Sequence, residues 1–114
     1  MEKTISRHID WLLEMIEKLE RYTYDIKNYE EFAGNEKNID LAIVPLIQIW
    51  EITWSLSKIY NPNIDIPFKE IIWFRNILVH TYHKIDPQVI YKIITKSIPI
   101  LKQKLLEYKI DNNL

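Results

Sequence analysis

The residues of this chain that are best suited to chemistry lie between Phe74 and Asp86, where the sequence reads FRNILVHTYHKID. Arg75 is a planar cation that can grip two phosphate oxygens at once. His80 follows five positions later, and histidine is the side chain whose unperturbed pKa lies near neutral pH. A phosphate-binding cation beside a proton-transfer group predicts a site that handles phosphate.

Asn76 and Tyr82 extend this group of residues. Asn76 carries a hydrogen-bond donor and an acceptor, so it can orient either a phosphate or His80. Structural roles are also open, because His80 would be favoured at the C-terminal end of a helix and Asn76 could be a hydrogen-bonded interior amide. The spacing by itself favours these structural roles.

Metal and nucleotide chemistry are less well supported by the sequence. His80 and His83 have a spacing that can converge on zinc, but no cysteine and no nearby cluster of carboxylates completes such a site. The chain also lacks a phosphate loop and a Gly-x-Gly-x-x-Gly motif. We therefore predict neither a metal nor a cofactor.

The rest of the chain predicts a helical framework for these residues. Its 114 residues fit one domain, 1–114, and the single glycine suits helices better than the turns of a sheet. The N-terminal residues lack the apolar core of a signal peptide, and the longest apolar run, 41–47, is too short to cross a bilayer. With no cysteine present, we expect a soluble cytoplasmic protein without membrane contact.

Hydrophobic periodicity predicts the first two helices. The first covers residues 4–32, where apolar residues recur at helical spacing, and Gly34 and Asn35 suit its end. The second runs over residues 40–60 with Asp40 as its N-cap, and it is apolar around most of its circumference. Pro45 either kinks this helix or marks its first turn.

Prolines delimit the remaining helices. Pro67 predicts the start of a third helix that carries the chemical motif, and Asp86 with Pro87 forms an N-cap and N1 pair that opens a fourth. Pro99 predicts a last, slightly offset segment over residues 100–108. The predicted fold is all-α, an up-and-down four-helix bundle whose C-terminal helix is broken near Pro99.

Charge is distributed unevenly along the chain. Residues 1–40 carry 6 basic and 10 acidic side chains, whereas residues 84–114 carry 6 basic and 3 acidic ones. The basic C-terminal part could attract a polyanion, but a solvated helix face rich in lysine is at least as good an interpretation.

The sequence resembles the HEPN superfamily and, within it, the HepT-like toxins. The resemblance covers most of the chain. Its most specific part is the series Arg75, Asn76, His80 and Tyr82, which is similar to the Arg-x4-His-x-Tyr signature of HepT proteins. Glu51, the acid of the second predicted helix, agrees with the family pattern more weakly.

This resemblance implies a metal-independent ribonuclease that acts as a homodimer, with the two motifs facing each other across the interface. Cleavage of RNA by its own 2′-hydroxyl needs a base, a proton donor for the leaving oxygen, and positive charge on the transition state. His80 suits proton transfer and Arg75 suits the charge. One histidine cannot be base and acid in the same step, so two copies of His80 in a dimer, or His83 in the same chain, would complete the site. Glu51 is a candidate support, either buried and paired with Arg75 or simply exposed.

The resemblance also implies a partner. HepT-like proteins are typically encoded with a nucleotidyltransferase antitoxin, and the motif tyrosine, here Tyr82, is the residue that this partner nucleotidylates. The alternative function is a non-catalytic substrate-binding or regulatory partner of a nucleotidyltransferase, and a purely structural interaction bundle is a third. The tryptophans are expected in the core or the dimer interface rather than as base-stacking platforms; they are Trp11, Trp50, Trp54 and Trp73.

Overall fold

The computed structural model describes residues 2–59, 66, 68–81 and 84–114. All regular structure in these residues is helical, which confirms the predicted all-α class. The elements in chain order are α1 (Glu2–Thr23), α2 (Tyr29–Ala33), α3 (Glu36–Lys58), α4 (Phe68–Thr81), α5 (Pro87–Lys92), a π-helical turn (Ile93–Ser97) and α6 (Ile98–Asp111).

Helix α3 lies at the centre of the packing. It contacts α1, α2 and α4, while α6 packs against α1 and α2 packs against α5. The long segments are α1, α3, α4 and the continuous run from α5 through α6. The predicted four-helix bundle with a C-terminal helix broken near Pro99 is therefore confirmed.

Helix α1 is shorter than the sequence predicted. Its buried side chains recur every three or four residues and form the stripe that packs against α3; they are Ile5, Ile9, Leu12, Ile16 and Leu19. The prediction of one helix over residues 4–32 was wrong, because α1 ends at Thr23 and α2 begins separately. The side chain of Asn28 caps α2 by accepting a hydrogen bond from the Glu31 N–H at 2.9 Å.

Helix α3 begins earlier than predicted. Its N-cap is Asn35, whose Oδ1 accepts from the Lys37 N–H at 3.0 Å, so the assignment of Asp40 as N-cap was wrong. Pro45 consequently lies in the helix interior, where it is buried and leaves the carbonyl of Leu41 without its usual N–H donor. Packing of the apolar faces on both sides of α3 outweighs that loss.

Helix α4 presents Phe74 and Leu78 to the core and packs against α3. The rings of Trp50 and Phe74 are both buried, and their centroids lie 4.3 Å apart. This aromatic contact fixes how α3 and α4 are aligned along each other. The predicted start of this helix, Pro67, lies outside the described residues.

The C-terminal segment begins at the predicted cap. The Asp86 carboxylate accepts from the Gln88 N–H at 2.9 Å, and Pro87 follows at the first helical position. The break near Pro99 is a change of helical hydrogen bonding rather than a loop: the π-helical turn leads directly into α6, whose first turn contains Pro99. Helix α6 starts at Ile98, two residues before the predicted segment.

One described helix, α3, is long and apolar enough to cross a membrane by length and composition, with a mean hydropathy of 1.4 over its most apolar stretch. In the bundle this helix is the central one, and 44% of that stretch is buried by the rest of the protein. A core helix surrounded by other helices has the same composition.

Candidate active site

The structure brings Arg75 to the surface junction of α3 and α4. Arg75 directly follows the buried Phe74, so its stem lies at the edge of the core while its guanidinium reaches outward. Its Nε donates to Oε1 of Glu51 over 3.4 Å. The side chains of Arg75 and Glu51 are 30% and 54% exposed. Glu51 is thus exposed and paired with Arg75 at once, a combination of the two alternatives that the sequence left open.

A third residue of this junction, Trp54, is the part that the sequence analysis missed. The guanidinium carbon of Arg75 lies 5.4 Å from the centroid of the Trp54 ring, and Nζ of Lys58 lies 5.2 Å from the same centroid. Glu51, Trp54 and Lys58 are spaced by three and four residues, so they share one face of α3. The spacing in the sequence indicated that these three residues share a face of α3. Only the alignment of α3 with α4 shows that Arg75 lies against that face.

The buried layer beneath the junction explains why these side chains meet. Trp50 precedes Glu51, and Phe74 precedes Arg75, so the Trp50–Phe74 contact in the core sets the two neighbouring residues opposite each other at the surface. Thr53 is also buried in α3, where its hydroxyl donates to the Ile49 carbonyl at 2.8 Å. The site is therefore positioned by rigid, packed helices rather than by loops.

Asn76 and His80 lie further around and along α4 than Arg75. Asn76 is exposed, and because successive helical residues project about 100° apart, it faces away from the α3 junction. His80 belongs to α4 one turn beyond Asn76, a spacing that places two residues on the same helix face. The side chain of His80, and Tyr82 and His83 altogether, lie outside the described residues.

The junction suits the binding of an anion. Two cations, Arg75 and Lys58, lie near one ring, and the ion pair between Arg75 and Glu51 is long and exposed. Such exposed pairs contribute about 0 to 1 kcal/mol, so a phosphate could replace Glu51 as the partner of Arg75 at small cost. Among the described side chains, no group of three or more histidine, cysteine or acidic residues is arranged to hold a metal ion.

The other basic residues of the C-terminal part are used differently. Lys102 pairs with Glu20 at 3.0 Å, and Lys109 pairs with Asp10 at 2.8 Å. Part of the basic excess at the C-terminus therefore joins α6 to α1 rather than forming an open basic surface.

Comparison with known proteins identifies the family to which this site belongs. The family model described as Ribonuclease HepT-like matches residues 12–108. The chain is a member of the HepT-like family. The match includes α3 and α4, and the predicted resemblance to HepT-like proteins is confirmed.

Similar proteins carry names of the same kind. A protein of Methanocaldococcus jannaschii named "Putative RNase" is 31% identical over 99 residues, which are 82% of this chain and 86% of that protein. A Thermococcus cleftensis protein named "Probable ribonuclease HepT" is 28% identical over 105 residues, 91% of this chain and 94% of that protein.

One relative is longer. A protein of M. jannaschii named as a gamma-glutamylcyclotransferase and putative RNase is 30% identical over 108 residues, and the chain spans 48% of its length. No solved structure matches the chain. The family and the relatives together support a ribonuclease-type function for the chain.

Proposed function

We propose that this HepT-like chain is a metal-independent endoribonuclease of the cytoplasm, with Arg75, Asn76 and His80 as its catalytic residues. The observation that carries the proposal is the position of Arg75: its guanidinium is held at the α3–α4 surface by an exposed, long contact to Glu51, five residues before His80 on the same helix. Membership in the HepT-like family adds the substrate class.

The reaction uses the 2′-hydroxyl of RNA as its nucleophile. A base removes the hydroxyl proton, the oxygen attacks the adjacent phosphorus, and the bond to the 5′-oxygen breaks as that oxygen takes a proton from an acid. His80 supplies the proton transfer, and Arg75 stabilises the negative charge that builds up on the phosphate oxygens. Asn76 orients the phosphate or His80 through its amide. The products are a cyclic phosphate and a 5′-hydroxyl.

The base and the acid of this reaction come from two copies of His80 in a homodimer, with His83 as the alternative within one chain. Support for pairing comes from the outward side of α4, where Trp73 is 61% exposed one turn before Asn76 and Ile77. Trp73 also lines an apolar groove of about 410 Å³ between α4 and the C-terminal helices, together with Ile71, Val89 and Ile100. We expect a dimer interface on the order of 1,200 to 2,000 Å² in total.

Control of the nuclease falls to a nucleotidyltransferase antitoxin that modifies Tyr82. A nucleotide added there brings a negative phosphodiester close to the motif, where it pairs with Arg75 and blocks the phosphate subsite. Incubation with the cognate transferase and ATP should add mass at Tyr82 and suppress toxicity, whereas Tyr82→Phe should stay toxic and resist this control. Mass added at Tyr91 or Tyr108 instead would contradict the assignment.

The decisive experiment is a cleavage assay with purified protein and RNA in the presence of chelator. The wild type should cleave, and His80→Ala should lose about 10² to 10⁴ in rate while keeping its helix content. Cleavage by His80→Ala at the wild-type rate would refute the catalytic role of His80. Binding of RNA without cleavage by the wild type would favour the alternative, a non-catalytic substrate-binding partner of the transferase.

A further inference from the structure

The ring of Trp54 is shared by two cations that come from different helices. Lys58 lies one turn along α3 from Trp54, while Arg75 reaches the ring from α4. The guanidinium carbon and the ammonium nitrogen are each within 5.4 Å of the ring centroid, so they are at most about 10.6 Å apart, the sum of the two distances. Two cations this close are favourable where an extended anion joins them.

An ordinary lysine–aromatic pair on α1 shows what is unusual here. Nζ of Lys18 lies 5.8 Å from the ring centroid of Tyr22, and these residues are also four positions apart on one helix. That contact stays within α1. At Trp54 a second cation, Arg75 of α4, also lies near the ring, so that Lys58 lies close to a residue of the motif.

We propose that Lys58 and Trp54 form a second subsite for single-stranded RNA, in which Lys58 binds the phosphate next to the one held by Arg75. This inference deepens the proposed function and rests on it for the role of Arg75. Lys58 is exposed, and its Nζ is drawn toward the same ring as the guanidinium, so successive phosphates of one strand can meet the two cations in turn. A compact ligand with one phosphate would engage Arg75 alone.

Trp54 acts as the positioning residue of this subsite. The centroid of its half-buried ring lies 5.4 Å from the Arg75 guanidinium carbon and 5.2 Å from the Lys58 ammonium nitrogen, so the ring restricts both cations. A free lysine or arginine side chain loses much of its rotamer freedom when it is fixed. Contact with the Trp54 ring restricts the two cations before RNA binds, so less side-chain entropy is lost on binding. The subsite is preorganised in this sense.

A structural role for Lys58 is the competing explanation. Lys58 lies in the last turn of α3, where a cation interacts favourably with the helix dipole. Under that explanation its removal lowers the thermal stability of the protein and leaves RNA affinity unchanged. Loss of Lys58 therefore changes thermal stability under the structural explanation and RNA affinity under the subsite proposal.

The test measures RNA binding in the full chain carrying His80→Ala, so that the RNA stays intact. Anisotropy of a short, fluorescein-labelled, mixed-sequence single-stranded RNA gives the affinity at several KCl concentrations. Lys58→Ala should weaken binding and reduce the slope of log affinity against log salt by about 0.7, the loss of one phosphate contact. Lys18→Ala is the matched control and should leave affinity and slope unchanged.

Further variants separate charge from packing. Lys58→Gln keeps a long side chain over the ring without the charge and should reproduce the reduced slope, even if Lys58→Ala disturbs the fold. Trp54→Leu should weaken binding in the same direction, whereas Trp54→Phe retains an aromatic ring and should bind more tightly than Trp54→Leu. A dinucleotide with a single phosphate should show no dependence on Lys58.

Each result decides between the proposals. Unchanged salt slopes for Lys58→Ala and Lys58→Gln, or an equal loss with the dinucleotide, would overturn the subsite while leaving the ribonuclease proposal intact. A wild-type protein that shows the Lys58-dependent slope but never cleaves RNA would support the subsite and refute the nuclease. A chain that does not bind RNA at all would refute both.

Discussion

The α1–α6 face and the α3–α4 face both carry cationic side chains, but the positive charge is neutralised differently on the two faces. On the α1–α6 face each described lysine pair has its own acid, Lys102 with Glu20 and Lys109 with Asp10. On the α3–α4 face two cations share one aromatic ring, and the contact of Arg75 to Glu51 is longer than the lysine pairs, at 3.4 Å.

We infer from this difference that the α1–α6 pairs serve the fold, whereas the cations of the α3–α4 face are suited to bind an anion. Lys102 and Lys109 each lie 3.0 or 2.8 Å from a carboxylate of their own, so they present less unbalanced positive charge to a phosphate. The cations Arg75 and Lys58 instead both lie near the Trp54 ring, and the ion pair of Arg75 with Glu51 is long. Electrostatic groups that are positioned before the charge appears are the ones that stabilise a transition state most.

The largest effect is expected from breaking the α3–α4 face at Arg75. Arg75→Ala should lower the initial rate of RNA cleavage by about 10² to 10³, the usual cost of losing one preorganised charge-stabilising group. Arg75→Lys should recover little of this rate, because lysine lacks the planar fork. Lys102→Ala, which removes a cation from the other face, should cleave like the wild type. Equal losses for Arg75→Ala and Lys102→Ala would show that general charge, rather than position, matters.

The next largest effect, on dimerisation, is expected from a substitution on the outward side of α4. Trp73→Glu should weaken dimerisation by about 30-fold or more, since a tryptophan at the centre of an interface contributes at least about 2 kcal/mol. Light scattering across a concentration series measures this change. Trp11→Glu is the matched control, because Trp11 is also exposed but lies on α1. A monomeric wild type at micromolar concentration would refute the dimer itself.

Local sequence rules predicted the elements whose signals are local. Asp86 and Pro87 were assigned correctly because cap and first-turn preferences depend on adjacent residues. Asp40 was assigned wrongly as a cap because asparagine and aspartate are equally good caps, and only the preceding polar turn shows that Asn35 starts the helix. There, Nδ2 of Asn38 donates to the Glu31 carbonyl at 3.0 Å and ties α3 to α2.

The candidate site was predictable in part for the same reason. The sequence placed Arg75, Asn76 and His80 on one helix, as the structure does, and it named Glu51 as a candidate partner of Arg75. The contact of Trp54 with Arg75 could not be predicted, because it depends on how α3 and α4 are aligned along each other. The buried Trp50–Phe74 contact is part of that alignment. Contacts between helices that are distant in sequence carry no local signal.

A smaller effect, on RNA affinity, is expected when the negative charge of Glu51 is removed from the α3–α4 face. Glu51→Gln removes the competing carboxylate and should tighten RNA binding by at most about fivefold, because an exposed ion pair is worth up to about 1 kcal/mol. Anisotropy in the His80→Ala background measures this affinity. A loss of cleavage greater than tenfold in the otherwise wild-type chain, without weaker binding, would instead make Glu51 a support that holds Arg75 in its catalytic position.

The smallest effect is expected from breaking the α1–α6 face. Lys102→Ala should lower the free energy of unfolding by only about 0.2 to 1 kcal/mol, because its pair with Glu20 is partly exposed. A double-mutant cycle with Glu20→Ala, followed by thermal unfolding, isolates the energy of the pair from other losses at each site. That energy should shrink at high salt, since screening weakens exposed pairs. A coupling energy of several kcal/mol, or a change in the salt dependence of RNA binding, would mean that this face is not the purely structural counterpart of the α3–α4 face.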